Sequence, residues 1–179
     1  MDRPKEEGRV AVVVIDVHGE YTSFAQPSTK SEVKDYSTKT SVISSSDIRI
    51  GVPKLNVGMI ASIVSGLSPP QRRELEKILN SLKSEMKSGS GPFDLESLEA
   101  AIISDSHMNE NTARVLLSWV ASLKDLRLFG KTDLPSIYDV VKSGRLTVFD
   151  LSNEVDLKKK QIIVSYFASK LFYERKSGK

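Results

Sequence analysis

The residues Asp16-Val17-His18-Gly19-Glu20-Tyr21 bring two carboxylates and an imidazole together at the end of an apolar run, Val10-Ala11-Val12-Val13-Val14-Ile15. A β-branched run without alternation predicts a strand of a parallel sheet, buried on both faces. Open α/β sheets bind ligands at the C-terminal edge of such strands. A carboxylate at the position of Asp16 therefore lies on the edge where a ligand would bind. It could equally cap its own turn by accepting backbone N–H groups. Glu20 carries a matching pair of readings, a second polar site residue or a solvated loop glutamate. His18 could face a ligand or hydrogen-bond the loop backbone. Gly19 is expected to supply a positive φ, and Tyr21 a packing contact. Asp150 repeats the strand-end logic after Leu146-Thr147-Val148-Phe149.

Other chemistries find less support. With no cysteine, the chain has no disulfide, cysteine nucleophile or thiolate metal site. Two histidines, His18 and His107, do not make a metal centre by themselves. A phosphate-binding loop needs G-x-x-x-x-G-K-[ST], whose glycines let backbone N–H groups surround the phosphates while the lysine neutralises them. Gly130-Lys131-Thr132 supplies only the last triplet, because the residue five before Gly130 is Asp125. Gly130 reads better as the cap of a preceding helix. Ser88-Gly89-Ser90-Gly91-Pro92 has no following lysine.

A net charge of +3, from 26 basic and 23 acidic residues, is compatible with nucleic acid without demanding it. Arg72, Arg73, Lys83, Lys87 and Lys158-Lys159-Lys160 could touch DNA phosphates or line solvated helix faces. The longest apolar run is far too short to span a membrane. The opening Met1–Arg9 stretch has no apolar core of a secretory signal, so a cytoplasmic location is expected.

The elements that must position these groups follow from pattern. Thr22 to Ser46 is rich in Ser, Thr and Lys and reads as a long loop, with Val33 and Val42-Ile43 as short edge strands. Ile48-Arg49-Ile50 is another short strand. Asn56 caps a helix over Val57–Gly66, and Ser68 one with apolar spacing at Leu75, Ile78, Leu79, Leu82 and Met86. Asp94 and Asn109 cap two more helices, the second with an apolar stripe from Ala113 to Leu126 and Trp119 beside it. Asp133-Leu134-Pro135 opens a short helix through Val141, with Gly144 as its cap. Asp156 begins a long helix burying Ile162, Ile163, Tyr166 and Phe167.

With these elements in place, Ile15-Asp16-Val17-His18-Gly19-Glu20-Tyr21 resembles the D-P-H-G-E-Y motif of HerA-type ATPases, with Val17 replacing the proline. Pro53-Lys54-Leu55-Asn56 before a helix, and Gly144–Ser152 before a long helix carrying Gln161, agree in order and spacing. The resemblance is to the HerA/FtsK-type P-loop ATPases, over the part between the Walker A and Walker B motifs. It implies an α/β fold, a partial RecA-like parallel sheet with a large α-helical insertion. Residues 1–50 and 130–179 would form the ATPase core and 51–129 the insertion. It implies catalytic roles for Asp16 and Glu20, and contact of Asp16, His18 and Gly19 with the nucleotide. For a complete motor it further implies ATP and Mg2+, a hexameric ring, double-stranded DNA and a NurA-type nuclease partner. Neither Walker motif is found in the 179 residues, so the isolated chain is expected to be inactive. The alternative is a binding or regulatory module that associates with an intact motor or with DNA. The resemblance carries one requirement: the Val10–Ile15 and Leu146–Phe149 runs must be neighbouring parallel strands of one sheet, and the reading is lost if they are not.

Overall fold

The computed structural model describes residues 4, 8–29, 32–64 and 66–177; most of the Met1–Arg9 stretch read above for a targeting signal lies outside them. The two apolar runs become β1 (Val12–Asp16) and β5 (Leu146–Asp150). They pair in parallel, with Val12 opposite Leu146 and Asp16 opposite Asp150. The third strand is β2 (Thr40–Ser44), parallel to the other side of β5, so the order is β1-β5-β2. The requirement set by the sequence is met.

Position in this sheet explains the burial. The central β5 buries Leu146, Thr147, Val148 and Phe149, and the Thr147 hydroxyl donates to the Val140 carbonyl at 2.8 Å. By contrast β1, expected to be covered on both faces, is half-buried from Val12 to Ile15 because β5 is its one partner among the described strands. Val33 lies outside any strand, whereas Val42-Ile43 falls within β2.

The chain forms two compact units, Met1–Ile48 with Pro135–Lys179, and Arg49–Leu134. In the first, α6 (Leu157–Lys176) follows β5 and buries Ile162, Ile163, Tyr166 and Phe167. The Phe167 ring lies 4.7 Å from that of Phe149, centroid to centroid, which fastens the helix to the central strand. The one-turn α5 (Ile137–Val140) is capped by Ser136 and is shorter than the Asp133-Leu134-Pro135 signal suggests. Asp133 instead accepts the Gly51 N–H at 2.8 Å.

The second unit is helical. It contains α1 (Val57–Ile63), α2 (Pro69–Glu85), α3 (Leu95–Ser104) and α4 (Glu110–Asp125). Asn56, Asp94 and Asn109 each accept a backbone N–H of the first turn. Ser68 and Gln71 form a reciprocal capping box at the start of α2. Leu75, Ile78 and Leu79 of α2, Leu98 and Ile102 of α3, and Leu116, Val120 and Leu123 of α4 make its core. The short parallel pair β3 (Ile50–Gly51) and β4 (Phe129–Gly130) joins its ends. Next to it, Arg49 and Leu134 bond to each other twice, at 2.8 and 2.9 Å.

Candidate functional site

The register brings Asp16 of β1, Asp150 of β5 and Ser44 of β2 into one row at the C-terminal edge of the sheet. Asp16 is 3% exposed, and its charge is spent on the loop that follows. Oδ1 accepts the N–H of His18 at 3.2 Å and of Gly19 at 2.8 Å, while Oδ2 accepts the N–H of Tyr21 at 2.8 Å. Burial pushes the Asp16 carboxyl up. The N–H groups of Tyr21, Gly19 and His18 together outweigh that and hold it below the usual aspartate range. A carboxylate engaged on both oxygens serves as the hub of a turn.

The turn displays its other members. His18 and Glu20 are exposed, and Gly19 takes the positive φ of 82° that lets the chain reverse. A side chain at Gly19 would also crowd Ser152, whose Cβ and Oγ would lie 3.1 and 3.2 Å from the added carbon and would have to give way by a few tenths of an ångström. Tyr21 is 43% exposed and stacks on Phe24, centroids 6.3 Å apart with planes 14° from parallel, and Phe24 meets Tyr36 in turn. Tyr21 therefore packs within a surface row of aromatic rings rather than in the core.

Behind this loop, Asp150 Oδ1 accepts both the N–H and the hydroxyl of Ser152, at 2.9 and 2.6 Å. The Leu151 N–H donates to the Asp16 carbonyl at 2.8 Å. Glu154 and Lys159, with side chains only 12% and 14% exposed, pair at 2.8 Å beside the first turn of α6. Burial raises the Glu154 pKa, but its bond to Lys159 and the Asp156 N–H bring it below the ordinary glutamate value. Sequence reasoning passed over Ser152, Glu154 and Lys159 as site neighbours. The alternation Asp150, Ser152, Glu154, Asp156 between a strand and a helix was the available signal.

The remaining basic residues are partly occupied. Lys83 donates to the Leu55 carbonyl at 2.7 Å, and Arg72 Nε to that of Leu67 at 3.1 Å. Arg73, Lys87 and Lys158 are exposed. His107 is exposed, as expected for a loop residue. Gly130 lies in β4 and is not the cap of α4. Arg127, at φ 49°, takes the left-handed conformation after that helix instead. Lys131 lies 3.7 Å from Asp94, an ion pair within the helical unit.

The profile of the family described as Helicase HerA, central domain, matches residues 2–171. The chain belongs to that family. It is thus a segment of a HerA/FtsK-type P-loop ATPase, and its partial RecA-like sheet with helices is the fold of that class. The solved structure of VirB4 from Thermoanaerobacter pseudethanolicus is similar with a TM-score of 0.57 and 15% identity, over 92% of this chain and 70% of that one. No curated protein sequence matches. HerA-family membership implies nucleotide and Mg2+ use by a complete motor. Among the described residues, no group of three or more His, Asp or Glu is arranged to hold a metal. Asp16, buried and doubly engaged, does not fit a direct magnesium ligand. No helix among the described residues is long and apolar enough to cross a membrane.

Proposed function

We propose that the chain supplies one wall of the nucleotide site in an ATP-driven, double-stranded DNA translocase or helicase of HerA type, working in DNA end processing. The observation that carries this reading is the loop at the sheet edge, where Asp16 gathers three backbone N–H groups and leaves His18 and Glu20 exposed. A preorganised loop at the C-terminal end of a parallel strand is where such sheets meet ligands. Glu20 is the candidate for orienting the attacking water, and His18 for contact with the nucleotide. Asp16 and Gly19 are positioning residues that shape the turn. The family resemblance adds a hexameric ring in the cytoplasm, duplex DNA in its channel and a NurA-type nuclease as partner.

Two measurements test the reading. The isolated chain, which has no phosphate-binding loop, is expected to turn over no ATP in the presence of Mg2+; motor-like hydrolysis by it would contradict the assignment. In an assembled motor carrying these residues, Glu20→Gln is expected to lower DNA-stimulated turnover by roughly 10²-fold or more, the usual worth of a group that handles a proton in the reaction. Unchanged turnover would leave Glu20 as a solvated loop residue and remove the catalytic reading of the loop.

A further inference from the structure

The loop that displays His18 and Glu20 rests on a second loop, the segment between β5 and α6, and that support is built from consecutive bonds. At one end, the bare Cα of Gly19 lies against Ser152, so closely that even a methyl group would be squeezed. Ser152 cannot swing away freely, because Asp150 Oδ1 holds both its N–H and its hydroxyl. The Leu151 N–H adds a backbone tie to the Asp16 carbonyl. From there the Glu154 N–H returns to the Leu151 carbonyl at 3.2 Å, and Glu154 Oε1 accepts the Asp156 N–H at 3.2 Å. Asp156 Oδ1 then caps α6 through the N–H groups of Lys158 and Lys159, while Lys159 Nζ closes back on Glu154 Oε2.

The chain of contacts is therefore continuous from the first turn of α6 to Gly19. Its bonds are short and its members are half-buried around Asp150, Ser152, Glu154 and Lys159, reaching the surface at Asp156, the kind of physical network through which displacement is transmitted. Gly19 is held in place by Asp16, which accepts its own N–H and those of His18 and Tyr21, and its positive φ is the one the turn uses.

We infer that Ser152, pinned by Asp150, is a positioning residue that sets the Asp16–Tyr21 loop, so that movement of the first turn of α6 is delivered to His18 and Glu20. What the delivered movement regulates rests on the nucleotide reading above; the clamp itself does not. Ser44 marks the contrast. It shares the row with Asp150 but bonds to Ser46, and it serves as an internal control.

The test is amide hydrogen exchange by NMR on the full chain, read at Gly19 and Tyr21, with the His18 ring shifts as a second signature. Asp150→Ala and Ser152→Gly are expected to speed exchange at both amides about tenfold and to move the His18 ring signals. Amides in the middle of α2 and the stability of the whole chain should change little, as expected of a local opening. Asp150→Asn, which keeps an acceptor for Ser152, should restore the original rates. Lys159→Met, which acts on the α6 end and also lowers overall stability, should accelerate Gly19 and Tyr21 beyond the change seen at the α2 amides. Ser44→Ala should leave Gly19 and Tyr21 unchanged. Unaltered rates at Gly19 and Tyr21 in Ser152→Gly, or equal acceleration of every amide, would overturn the clamp. Since turnover of Glu20→Gln is a separate measurement, a loop that responds to Ser152 without any effect of Glu20 on ATP would remove the nucleotide reading alone.

Discussion

At the scale of single residues, Asp16 carries the most consequence. Its two oxygens collect three N–H groups, and each such bond to a charged acceptor contributes about 1.5–3 kcal/mol. Asp16→Ala leaves those donors stranded and is expected to cost about 2–4 kcal/mol, read as a lower urea midpoint with unchanged slope. The pKa of Asp16 is lowered on folding from a reference of 3.8. Its contribution is therefore present in full above that reference and is lost as the pH falls through the lower folded value. Asp16→Asn should flatten the acid limb of the stability curve, and an unchanged limb would show that the folded-state shift is negligible. Gly19→Ala combines a positive φ with the contact on Ser152, for a loss of about 1–2 kcal/mol in the same assay. The sequence pattern located this turn, but could not say whether Asp16 faced a ligand or its own backbone. Those two employments use identical residues and differ only in where the loop N–H groups point.

At the scale of elements, caps were the most legible signals. Asn56, Ser68, Asp94, Asn109 and Asp156 all occupy the N-cap expected of them, because a capping side chain acts within three residues of itself. Ser68→Ala should accordingly cost about 1 kcal/mol by thermal unfolding. Strand context was less legible. The apolar letters of β1 and β5 are alike, yet one lies at the edge of the sheet and the other at its centre, and only long-range pairing distinguishes them. Gly130 misled for a related reason: glycine marks a cap or a close backbone approach, and its place in β4 is decided by a strand some eighty residues earlier. The Glu154–Lys159 pair was invisible for its burial rather than its sequence. Breaking it with Lys159→Met should cost about 1–3 kcal/mol, between the values of exposed and fully buried pairs. Because the Glu154 pKa is lowered from 4.5, that cost should shrink as acid protonates Glu154 below its folded value.

At the scale of the whole molecule, the Arg49–Leu134 unit has its own core and its own closure, so residues 49–134 expressed alone should fold cooperatively with a helical circular dichroism spectrum. A non-cooperative melt of that fragment would show that its core needs the rest of the chain. The pair of bonds between Arg49 and Leu134 has a wider implication. Seen from β2 and α5, everything between them counts as a tight connection, whatever its length. Closing a loop becomes harder only logarithmically, about 0.6 kcal/mol for each doubling. Lengthening a loop inside the Arg49–Leu134 unit is therefore expected to leave the β1–β5–β2 register and the Asp16 turn as they are, read from unchanged amide shifts at Gly19 and Tyr21.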